Sequence, residues 1–220
     1  MSDEETTDEP ERIELEEPLR SHVADAFGFD AEPATFRELW ERMIATFAEG
    51  LDRPVSAADL CTTDASPHRA VVDRGSQSFQ CVTDAFIYAG RRGGDVTVRT
   101  VSPLDGRGLA VDYDADGTVS APDGAVLSFG VERGASPPDG PVTPEQMYGR
   151  VCPYSKAFAS RDEYERWTDA RPEVASQALR LDDALALLAR VTGRALDAEE
   201  ERESGPEAND DCACVAEVDP

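Results

Sequence analysis

Two cysteines and an aspartate are the residues best suited to chemistry. Cys81 and Asp84 stand three apart in Ser78-Phe-Gln-Cys-Val-Thr-Asp-Ala-Phe-Ile-Tyr88. Phe79, Val82, Phe86 and Ile87 recur there at helical spacing, which predicts a helix over 78–88 with Cys81 and Asp84 on one face. Near the start of such a helix, unpaired backbone N–H groups favour a thiolate. Cys152 lies in Arg150-Val-Cys-Pro-Tyr-Ser-Lys-Ala-Phe-Ala-Ser160, just after a second predicted helix and before a proline, where it could face Cys81 across a sheet. A soft metal prefers two thiolates to imidazole or carboxylate. A carboxylic acid held beside them away from water has a raised pKa and can deliver a proton. The bland alternative for each isolated cysteine is a small buried hydrophobe.

The remaining thiols and imidazoles add little. The five cysteines are odd in number and widely spaced, which argues against a disulfide framework. There is no Cys-x-x-Cys pair and only two histidines, His22 and His68, both expected at the surface, so a tetrahedral zinc site is poorly supported. Cys61 follows Leu60 on a short apolar segment and reads as structural.

The elements that must position the trio are legible from caps and periodicity. Residues 19–27 fit a short helix. Thr35-x-x-Glu38 is a capping box, and Phe36, Leu39, Trp40, Met43, Ile44 and Phe47 continue it as a helix ended by Gly50. Ser56 is read as opening a second short helix, so residues 36–60 resemble half of a winged-helix-like unit, or else an ordinary helical hairpin. Strand patterns at 96–101, 109–113, 118–120 and 125–131, with Gly-, Asp- and Pro-rich turns, predict an antiparallel meander. Thr143-Pro144 and Ser160-x-x-Glu163 start two more helices. A last strand at 177–181 precedes an amphipathic helix over 182–192, closed by Gly193. The expected fold class is α+β: an antiparallel sheet core with flanking helices and a helical, winged-helix-like N-terminal extension. The expected segments are a disordered acidic tail (1–17), the helical extension (18–65), the α+β core (66–196) and a second disordered acidic tail (197–220).

Charge narrows the partners. The 220 residues carry 46 acids against 21 bases, a net charge of −25, which leaves no basic footprint for nucleic acid. Acids crowd the ends: nine against one base in residues 1–17, and ten against one in residues 197–220. Of the bases only Lys156 is a lysine. Acid excess with so little lysine suits a salt-loving cytoplasm, where salt screens self-repulsion. A mesophilic domain with acidic ends is the alternative. No apolar run approaches the roughly 18 residues of a membrane span, and the first residues lack the basic and apolar regions of a signal peptide. A cytoplasmic location without membrane or nucleic-acid partners is expected.

Phe79-Gln-Cys-Val-Thr-Asp-Ala-Phe-Ile-Tyr88, and Cys152 followed by Phe158-Ala-Ser160, resemble the organomercurial (alkylmercury) lyases, and the composition suggests a haloarchaeal-type member. The likeness extends through 163–167 and 177–188 and covers roughly residues 36–192. It implies that Cys81, Asp84 and Cys152 are catalytic, that Cys81 and Cys152 hold mercury, and that no organic cofactor takes part. The substrate would be an organomercurial, cleaved to a hydrocarbon and Hg²⁺. Three departures stand out. The stretch between Leu60 and Phe79 is short for the family's wing, the central strands around 101–105 lack a cysteine, and Pro153 stands where a further cysteine often follows. Cys212-Ala-Cys214 would either pass Hg²⁺ to a mercuric reductase or another thiol carrier, or be an incidental pair. The rival functions are a mercury-binding protein of the same fold that cleaves nothing and, less in keeping with the charge, a regulator using residues 36–60.

Overall fold

The computed structural model describes residues 13–137, 139–140 and 142–195. The Cys212–Cys214 pair and the acidic stretches 1–12 and 196–220 lie outside them. Two antiparallel sheets share one hydrophobic core with the helices around them. Helix α1 (Leu19–Phe27) and helix α2 (Phe36–Leu51) come first. As its capping box predicts, α2 starts at Thr35, whose Oγ1 accepts the Glu38 amide at 3.1 Å. Its buried face, Phe36, Leu39, Met43 and Phe47, packs into the core rather than into a separate unit. Each such side chain contributes about 1.5–3 kcal/mol on burial. Residues 13–17, grouped above with the acidic tail, are placed: Leu15 is buried and Glu14 bridges Thr35. The apolar Ile13 and Leu15 give this stretch something to bury.

The first sheet has six strands in the order β1-β3-β2-β4-β5-β6. These are β1 (Thr62–Thr63), β2 (His68–Val72), β3 (Gly75–Phe79), β4 (Val96–Val101), β5 (Gly108–Tyr113) and β6 (Val119–Ser120). Helix α3 (Val82–Arg92) leaves β3 and packs back on β2 and β4. The second sheet places β7 (Val126–Glu132) between β8 (Ala157–Phe158) and β9 (Val174–Arg180). Helix α4 (Pro144–Val151) and helix α5 (Arg161–Asp169) flank β8 in sequence, and α6 (Leu181–Ala195) follows β9.

Four expectations change. Ser78 and Phe79 are strand rather than helix, because Phe79 pairs with Thr62 on one side and His68 on the other. The helix therefore starts four residues late. The segment opened by Ser56 is one 3-10 turn, Ala57–Asp59, closed by its own capping box; the Asp59 carboxylate also holds Arg53 (2.7 Å). The meander stops at β6, and β7 begins the second sheet. Its burial explains why: every residue from Val126 to Val131 is buried, as in a strand covered on both faces. Gly193 does not end α6, which runs to Ala195.

Candidate active site

Cys81 is the residue at which the chain turns from β3 into α3. Gln80 donates its amide to the Cys61 carbonyl at 2.9 Å, the last bond tying this edge to the sheet. Cys81 then takes the N-cap position with an extended backbone (φ −115°, ψ 138°). Asp84 sits in the first turn of the helix. Both are buried, 2% and 8% exposed. One Asp84 oxygen accepts the backbone amide of Cys61 at 2.9 Å, so the residue before β1 orients the carboxyl.

Cys152 arrives from the other sheet. Thr143 and Gln146 form a reciprocal capping box (3.2 and 3.0 Å), with Pro144 at the first helical position. Helix α4 ends at Cys152, which begins the 3-10 turn Cys152–Tyr154. Strand β7 clamps the chain beyond Cys152: Ser128 Oγ donates to the Tyr154 carbonyl (2.8 Å) and accepts the Lys156 amide (3.1 Å). Gly130 makes room for this turn. A Cβ there would lie 3.1 Å from Tyr154 Cβ and 2.8 Å from Ser176 Cβ. At the other end of α4, Gly50 of α2 lies against Val142, whose carbonyl oxygen would be 1.9 Å from an added Cβ. Two glycines thus set where α4, and with it Cys152, can sit.

The two free thiols among the described residues are Cys81 and Cys152, and they meet. The Cys152 thiol hydrogen-bonds the Cys81 sulfur, and this contact does most to pull the Cys81 pKa below the ordinary thiol range. Burial opposes the shift. The Thr83 hydroxyl and amide and the Lys156 charge add to it, although the sulfur makes no full cap bond of its own. Asp84 moves the other way: burial, then the Cys81 charge, push it well above the carboxylate range, against the Cys61 amide. Two adjacent buried groups cannot both ionise cheaply. Burial and mutual repulsion thus favour placing the negative charge on Cys81 and the carboxylic proton on Asp84.

These three residues line a cavity of about 90 Å³. Its other walls are mostly apolar, with Trp40, Met43 and Phe47 of α2, Ile87 of α3, and Met147 and Tyr148 of α4, and Asp59, Thr83 and Thr192 as polar lining. The Phe47 and Tyr148 rings meet edge to face at 5.7 Å and join α2 to α4. Among the described residues no group of three or more His, Cys, Asp and Glu side chains gathers into a metal cage, so a soft cation here has the two sulfurs as its strong donors.

The structure thus brings together the three residues selected from sequence. It corrects His68, which is buried, with Nδ1 2.7 Å from Thr100 Oγ1. Burial and then the Lys156 charge push its pKa down to about 4, so it is neutral and structural. Sequence reasoning missed the Cys61 amide, the Thr83 hydroxyl and the placement of Lys156, and its reading against disulfides fails at Cys61, which is disulfide-bonded. Only Lys156 carried a signal, as the lone lysine. The helical run from Phe36 to Phe47 has the spacing of a core face, and one side of it also walls the cavity.

The family model for alkylmercury lyase (MerB) matches residues 61–193, more than half of the chain. Among solved structures, the mercury-bound form of MerB2 is similar at 12% identity, covering 70% of this chain and 90% of that one, with a TM-score of 0.47. No curated protein matches.

Proposed function

Because the chain belongs to the alkylmercury lyase family, we propose that it cleaves the carbon–mercury bond of organomercurials, releasing a hydrocarbon and Hg²⁺. The observation that carries this reading is that Cys81, Asp84 and Cys152 line one cavity, with the Cys81 thiol shifted toward its charged form and the Asp84 carboxyl toward its neutral one. A site that only stored mercury would need the sulfurs and not the acid.

The protons balance. The Cys81 thiolate bonds to the mercury of R–Hg⁺ and displaces its carrier thiolate. Asp84 gives its proton to carbon as the carbon–mercury bond breaks, and the hydrocarbon leaves. The Cys152 thiol returns a proton to Asp84 while its sulfur closes on mercury, giving a neutral bis-thiolate complex. Asp84 ends as it began, and the proton on the hydrocarbon is in net terms that of Cys152. The apolar walls keep water from the departing carbon and from the acid. No organic cofactor has a step in this scheme. Free thiols outside the protein then remove Hg²⁺. A tethered dithiol such as Cys212 and Cys214 would do the same at high effective concentration and hand the ion to a reductase or thiol carrier.

The charge of −25 supports a haloarchaeal-type, cytoplasmic setting. No helix among the described residues is long and apolar enough to cross a membrane. The deciding experiment incubates the purified full chain with excess phenylmercury and free thiol. Benzene well beyond one equivalent is expected; one equivalent or less with tight mercury retention would identify a binding protein instead.

A further inference from the structure

The chain has three methionines, Met1, Met43 and Met147, and the last two both line the cavity shared by Cys81 and Cys152. They come from different helices, Met43 from the buried face of α2 and Met147 from α4, little more than one turn before Cys152. Both are buried, at 5% and 6% exposure. Elsewhere the core is filled by Leu, Val, Ala and Phe, including four leucines on α6 alone. Methionine as gap-filler accounts for one such position, but not for both internal methionines converging on the only free thiols among the described residues.

A thioether is a soft donor that carries no charge. In an apolar cavity it can be held without the desolvation cost of a second thiolate. We infer that Met43 and Met147 are specificity-determining residues, whose sulfurs take the mercury of an incoming organomercurial and of the product ion as neutral secondary donors beside the Cys81–Cys152 pair. Adding a thioether to mercury breaks no bond and moves no proton, so the contact forms before the carrier thiolate leaves. It selects soft, thiophilic cations over hard ones such as Zn²⁺ at the cavity wall. This inference rests on the proposed lyase reading for its substrate, but not for its contact with mercury.

The test separates the two. Full-length protein carrying selenomethionine is loaded with one equivalent of Hg²⁺, and the selenium absorption edge is examined for a mercury neighbour. A selenium–mercury path is expected, and its absence overturns the inference whether or not the protein is an enzyme. In parallel, Met43→Leu and Met147→Leu keep volume and apolarity at small cost in stability. The KM for phenylmercury should rise about tenfold in each, with a smaller change in kcat, as for loss of a contact made equally in ground and transition states. A KM within twofold of the parent in both variants leaves the methionines as packing and overturns the inference. Should a leucine variant fail to fold, norleucine in place of all methionines removes sulfur without changing shape and is read in the same way. Loss of benzene release in the parent protein would refute the lyase reading alone, because the selenium measurement needs no turnover.

Discussion

The two thiols of the candidate site sit at opposite ends of helices. Cys81 caps the N-terminus of α3, where amides point outward, and Cys152 closes the C-terminus of α4, where carbonyls do. The helix dipole favours an anion at the first position and not at the second. Their surroundings agree: Cys81 has Thr83 and the Lys156 charge beside it and receives the hydrogen bond of Cys152. In the proposed reaction these equal side chains take unequal tasks, one attacking mercury as a thiolate and one holding the proton that replaces the one Asp84 gives to carbon. A sequence shows two cysteines; their division of labour comes from which helix end each occupies.

The largest expected effect tests whether both halves are needed. Cys81→Ser and Cys152→Ser should each lower turnover by about three orders of magnitude or more. Alkylation should tell them apart: Cys152→Ser, whose hydroxyl can still donate to the Cys81 sulfur, keeps a thiol reactive below the ordinary thiol pKa, and Cys81→Ser does not. Equal reactivity in the two variants would erase the proposed asymmetry.

Asp84→Asn comes next, with mercury binding kept and cleavage lowered about a hundredfold or more. The same variant has a signature in stability. Near neutral pH the unfolded chain ionises the aspartate and protonates the thiol, while the folded chain does the reverse. Each state binds one proton, so the pair gives no pH slope there. Asparagine leaves Cys81 alone. From its lowered pKa up to the ordinary thiol value of about 8.5, the unfolded variant then binds the extra proton, and stability rises with pH. Urea midpoints that stay flat across that window would mean that Cys81 is not a thiolate.

Gly50→Ala acts from the Cys152 side. The new Cβ collides with the Val142 carbonyl ahead of α4, at an expected cost of about 1–3 kcal/mol. Turnover should drop, and the Cys81 alkylation profile should move toward the ordinary thiol range as the Cys152 contact is displaced. Thermal melts and alkylation rates read the two separately.

Thr83→Val is the mildest change and touches the Cys81 side. Losing one hydrogen bond to an anionic sulfur should raise its pKa by about one unit, seen as a shifted alkylation profile, and Thr83→Ser should restore it. An unchanged profile would assign the asymmetry to Cys152 and Lys156.

Much of this molecule is legible in its sequence wherever the signal is local. Thr35, Thr143 and Ser160 each cap the helix expected of them, because a cap needs only groups within four residues. Strands β4 to β6 follow from alternation and turn residues. Errors fall where distant partners decide. Ser78 and Phe79 have a helical pattern, yet two strands that pair with them hold them extended. His68, expected at the surface from sequence, is buried because β2 lies inside its sheet, where Thr100 of the next strand satisfies it.

The site divides in the same way. Residue types and spacing singled out Cys81, Asp84 and Cys152 as candidates, since one helix turn sets a common face for the first two, and the likeness to alkylmercury lyases gave the three their roles. What the sequence could not determine was protonation. That depends on the Cys61 amide reaching Asp84 from before β1, on Cys152 arriving from the second sheet, and on the packing that buries both groups. A pKa is set by burial and by charges a few ångströms away, and those distances exist only once chain segments far apart in sequence have packed together.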